Sequence, residues 1–154
     1  MADLQSDLSE FVGLLISHGV EFLVVGGYAV AFHGHPRLTG DVDFFIRATP
    51  ENAERVVRVL EEFGFGNLGV TALDLITPDR VLQLGRPPNR IDILTSISGV
   101  EFSSCWDSRV VGELGKHTVN FLGWDALIAN KTASGRDKDL LDVKTLTRIA
   151  SRKK

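Results

Sequence analysis

Residues 24–46 read VVGGYAVAFHGHPRLTGDVDFFI, and their order of strand, glycines, helix and acids carries most of the fold. The apolar run VEFLVV (20–25) predicts a strand ended by Gly26 and Gly27, and YAVAFHG (28–34) predicts a helix closed by Gly34. Pro36 and Gly40 make HPRLTG a loop, after which DVDFFIRA (41–48) reads as a second strand. Residues i and i+2 of a strand share a face, so Asp41 and Asp43 project together while Val42 and Phe44 point the other way. Two carboxylates at the start of a buried strand repel each other and lose hydration unless a positive charge offsets them. A divalent cation supplies that charge; a turn cap at Asp41 is the plainer alternative.

Working outward, DLQSDLSEFVGLLISHG (3–19) places Leu4, Leu8, Phe11, Leu14 and Leu15 at helical spacing, with Gly19 as a stop. TPENAERVVRVLEEFG (49–64) predicts a helix capped by Thr49, with Pro50 first and Glu51 and Asn52 at the positive end of its dipole. Its inner stripe is Val56, Val59, Leu60 and Phe63. GNLGVTALDLITPD (66–79) leaves room for a short helix, and RVLQLG (80–85) and RIDILT (90–95) read as strands joined by RPPN. FSSCWDS (102–108) is a loop or short helix, and RVVGEL with HTVNFLG forms a strand pair around Gly115. WDALIANKTA and RDKDLLDVKTLTRIA predict two closing helices over about 124–150. The irregular mixture points to an α/β (α+β) chain, a mixed β-sheet flanked by helices, with 1–154 as one domain.

A third acid, Asp92, sits between Ile91 and Ile93, where burial without a partner is costly. If its strand lies beside that of Asp41, three carboxylates form an oxygen-rich site of the kind that suits magnesium or manganese. Pairing of Asp92 with Arg90 or Arg37 is the structural alternative. Gly26 and Gly27, at a strand-to-helix turn, offer backbone N–H groups and the positive end of a helix dipole to phosphate, or simply turn the chain. Their spacing fits neither a dinucleotide fingerprint nor a P-loop.

Arg37 can clamp a phosphate from the loop before Asp41, and Thr39 can fix that loop. Lys131, Arg136 and Lys138 cluster where they can face a triphosphate; the alternative is that Lys138 and Arg136 pair with Asp139 and Asp142 across helix turns. His33 and His35 lack the further nitrogen or sulfur ligands that zinc needs. Trp106 and Trp124 are read as packing residues rather than base-stacking platforms.

A formal charge of -3 with 24% charged residues argues against wrapping nucleic acid over the whole surface. Cys105 stands alone, which excludes an internal disulfide and a multi-cysteine zinc site. The acidic start is unlike a secretory signal and no apolar run is long enough for a membrane helix, so the expected location is cytoplasmic, without a membrane partner.

The glycine pair, the D-x-D strand and the later aspartate together resemble the nucleotidyltransferase superfamily related to DNA polymerase beta. The finer pattern, with NRIDILT and LIANKTASGRDKDLLDVKTL, is similar to bacterial nucleotidyltransferases of the AbiEii toxin type and small families near them, over about residues 24–146. The resemblance implies magnesium-dependent transfer of a nucleoside monophosphate from an NTP such as ATP to a hydroxyl. By resemblance Asp41 and Asp43 hold metal, and Asp92 holds the second ion and helps deprotonate the acceptor. Gly26 and Gly27 then cradle the β and γ phosphates, with Lys131 facing the triphosphate. Many relatives have Gly-Ser, so Gly27 leaves only backbone donors; larger relatives carry an added domain.

The acceptors so implied are an RNA end such as tRNA, a protein or a small molecule; an antitoxin or a second copy is the implied partner. A catalytically silent module binding a nucleotide or a partner is the second reading. A D-x-D glycosyltransferase is the third, disfavoured because its acids usually follow an apolar strand, whereas these precede FFI.

Overall fold

The computed structural model describes residues 6–36, 40–85 and 90–152. Six strands form one mixed sheet in the order β3-β4-β2-β1-β6-β5. They are β1 (Phe22–Val25), β2 (Asp41–Ile46), β3 (Val81–Leu84), β4 (Arg90–Leu94), β5 (Val110–Leu114) and β6 (His117–Phe121). β2 with β4 and β1 with β6 run parallel; the other neighbours are antiparallel. The helices are α1 (Ser6–Ser17), α2 (Gly26–Phe32), α3 (Pro50–Glu62), α4 (Ala72–Ile76), α5 (Phe102–Asp107), α6 (Trp124–Ser134) and α7 (Asp137–Arg152).

Most expected elements are present, with shorter strands. β1 begins two residues later and β2 ends two residues earlier than expected, and α2 begins at Gly26 rather than after the glycines. The ambiguous stretch at 66–79 holds a 3₁₀ turn and α4. Thr71 and Asp74 form a reciprocal capping box there, which starts the helix despite its five residues.

Alternation along β2 divides the two faces of the sheet. Phe44 packs against Phe11 of α1 and Phe22, while Phe45, on the face of the two acids, packs edge-on against Phe102 of α5. Of the expected stripes, Phe11 and Leu15 of α1 and Val56, Val59 and Leu60 of α3 are buried, joined by Val12 and Ala53; Leu8, Leu14 and Phe63 are half-buried, and Leu4 lies outside the described residues. Asn52 lies in the first turn of α3, at the positive end of the dipole as expected, with its N–H on the Thr49 hydroxyl oxygen. It is buried, accepts from the Glu21 N–H, and donates to the Glu21 and Arg47 carbonyls, so it staples the start of β1 to the end of β2. These three bonds satisfy both ends of the buried amide, which is the condition for burying it.

Candidate active site

β2 and β4 pair in parallel register, with Asp43 directly opposite Asp92 and Asp41 opposite Arg90. In-register residues of neighbouring strands share a face, so the expected cluster forms: one oxygen from each of Asp41, Asp43 and Asp92 lies within 4.8 Å of the others. Asp92 is only 7% exposed, in keeping with its apolar neighbours Ile91 and Ile93.

Burial, reinforced by Asp41 and Asp92, pushes the Asp43 carboxyl up to about 7, against a smaller opposing pull from Arg90. Burial also raises Asp92, although Arg90 counteracts it. Arg90 Nη2 donates to Asp41 Oδ2 at 2.9 Å and to Asp92 Oδ2 at 3.3 Å. Its Nε lies 3.1 Å from Asp92 Oδ1, close enough for an ion pair but off the line of a hydrogen bond, so that buried oxygen accepts none. Both the cluster and the alternative pairing with Arg90 are therefore present at once.

Gly26 makes the cluster possible. Its φ is +67°, and a Cβ there would stand 2.0 Å from Asp43 Oδ2. Any side chain would be strained and would evict the carboxylate. The free space beside this glycine is thus filled by Asp43, while Gly27 follows in the first turn of α2.

A cleft of about 550 Å³ opens beside the acids, lined at one end by Gly26 and Asp43 and across from them by Lys131, Ser134, Arg136 and Asp139. Lys131 is 5% exposed; its Nζ donates to Asp139 Oδ1 at 2.9 Å and lies 3.0 Å from Asp142 Oδ2. Arg136 Nε donates to Asp139 Oδ2, as does the Ser134 hydroxyl. The expected pairing of Arg136 with Asp139 thus holds, from the residue just before α7, but Lys131 of α6 is what faces both acids. Burial would raise Asp139, yet hydrogen bonds from Ser134 and Lys131 and the nearby charges bring it down to about 2.

Arg37 and Thr39 lie outside the described residues. His33 Nε2 donates to the Leu122 carbonyl at 2.7 Å, and Trp124 packs edge-on against that imidazole. Trp106 stacks on Phe102 beneath the Arg109 guanidinium, so neither tryptophan lines the cleft. Sequence reasoning did not find Asp79 and Ser96, which line the cleft and bond each other twice at 2.9 Å. Their pairing depends on Asp79 at φ +60°, which no spacing signals.

A mixed sheet whose adjacent parallel strands gather three aspartates beside a glycine turn defines a nucleotidyltransferase-type protein. The chain belongs to the family described as "Nucleotidyl transferase of unknown function (DUF2204)", whose model matches residues 4–154. No curated protein matches it. No described helix is long and apolar enough to cross a membrane.

Proposed function

We propose that the protein transfers a nucleoside monophosphate from an NTP to a hydroxyl acceptor, with Asp41, Asp43 and Asp92 as its divalent-ion ligands. The observation that carries this is the parallel register placing Asp92 opposite Asp43 beside the Gly26 turn. The donor set fits magnesium or manganese: three carboxylates within 4.8 Å, and a buried Asp92 oxygen with no aligned hydrogen bond. Bound there, such an ion supplies charge neutralisation for the phosphates and for the developing negative charge.

The chain's own residues do the rest. The acceptor oxygen bonds to the α-phosphorus, the bond to the pyrophosphate oxygen breaks, and the hydroxyl proton passes to Asp92, whose affinity for protons is raised by burial. Gly26 and Gly27 present backbone N–H groups to the β and γ phosphates. Lys131 and Arg136 line the same cleft and face the triphosphate; Arg37 and Thr39, which lie outside the described residues, are assigned to the same phosphates from their place in the sequence before Asp41. The acceptor is an RNA end, a protein or a small molecule, and an antitoxin is the partner suggested by the toxin-like resemblance.

The test is incubation with magnesium and each α-labelled NTP, offering tRNA, total protein and small alcohols as acceptors. We expect label on one acceptor class, reduced more than about 100-fold by Asp92→Asn, since even groups that merely support a ligand are worth 10–100-fold. Nucleotide-induced stabilisation without label on any acceptor supports the silent binding module instead.

A further inference from the structure

Arg90 stands opposite Asp41 across the β2–β4 ladder and two residues before Asp92 on the same face of β4. Its guanidinium consequently meets two of the three acids, at 2.9 Å from Asp41 and 3.1 Å from Asp92. We infer that Arg90 is an internal counter-cation of the triad among the described residues, and that a divalent ion must compete with it for Asp41 and Asp92.

This inference rests on the metal-binding role proposed above. A guanidinium approaches carboxylate oxygens at hydrogen-bond distance, whereas magnesium requires them at about 2.1 Å in near-octahedral array. The dipositive ion also repels the guanidinium beside it. Entry of the ion therefore turns Arg90 away, and its side chain, 30% exposed, has room to leave. A triphosphate offers the displaced guanidinium new acceptors, so nucleotide and metal bind more readily together than either does alone. The site thereby stays guarded against free divalent ions.

Manganese binding without nucleotide, followed by electron paramagnetic resonance, separates the outcomes. Arg90→Gln should bind manganese more tightly than the unmodified protein by about tenfold or more, the scale on which one adjacent charge shifts a carboxylate's proton affinity. Arg90→Lys, which keeps the charge, should remain near the unmodified protein. In chelator, Arg90→Gln should melt at a lower temperature than the unmodified protein, and saturating manganese should close that gap. If binding lost in Asp43→Asn is equal or weaker in Arg90→Gln, Arg90 orients Asp92 and the competition is overturned while the metal site stands. If neither the unmodified protein nor Arg90→Gln shows binding that depends on Asp43, the metal site itself fails and the inference goes with it.

Discussion

The cleft meets two clusters of acids, through Asp43 of one and Asp139 of the other, and they are held in opposite ways. At Asp41, Asp43 and Asp92 the carboxylates crowd one another, and Asp43 is pushed up to about 7 by burial and its acidic neighbours. At Asp139 and Asp142 the ammonium of Lys131 lies within 3.0 Å of both, and Asp139 falls to about 2 despite its burial. The second cluster is electrically answered by its own surroundings and ties α6 to α7. The first retains a demand for positive charge, which is the property on which the proposed cation site rests.

The largest effect that sharpens this contrast is Lys131→Met, which leaves Asp139 and Asp142 buried without their ammonium. We expect a loss of about 3–5 kcal/mol in urea unfolding, the usual cost of breaking a buried pair from one side. Unchanged stability would mean that the cluster does not hold the two helices together. Gly26→Ala comes next, at about 2 kcal/mol, because it imposes left-handed strain of that order and drives a methyl into the Asp43 carboxylate. The proposed nucleotidyl transfer should fall as well, and transfer equal to that of the unmodified protein would show that Asp43 tolerates displacement.

Acid unfolding probes the balanced cluster alone. A carboxyl whose folded pKa is depressed favours the fold above its unfolded pKa of 3.8, and that contribution disappears as pH falls through about 2. Asp139 should therefore supply roughly 2 kcal/mol that is present at pH 5 and lost by pH 2. Denaturant titrations of Asp139→Asn should lack that component of the pH profile. The smallest effect has the opposite sign: Asp43→Asn relieves crowding and should leave the fold as stable or up to about 1 kcal/mol more stable near pH 8. Marked destabilisation there would show that Asp43 serves the fold rather than the site.

How much of this the sequence disclosed follows from the range of each interaction. Asp41, Asp43 and Asp92 were legible because acids in apolar strands violate a local rule, and two-residue spacing fixes a shared face. Thr49 capping α3 was legible for the same local reason. The strand order, with β4 beside β2 and β6 beside β1, was not, since parallel neighbours are set by distant pairing. Arg90 reaching Asp41 depends on that register. Lys131 reaching Asp142 depends on the turn between α6 and α7, where Gly135 adopts φ +68°. Asn52 stands at the dipole end as expected, but its side-chain bonds to two strand ends were not legible, because helical spacing alone does not say that a polar residue turns inward.

The most direct measurement is anomalous diffraction from crystals grown with manganese and a non-hydrolysable NTP. We expect manganese density coordinated by Asp41, Asp43 and Asp92, with the triphosphate reaching the Gly26 turn. Nucleotide bound in the cleft with no metal at these acids, or manganese held at another site, contradicts the assignment.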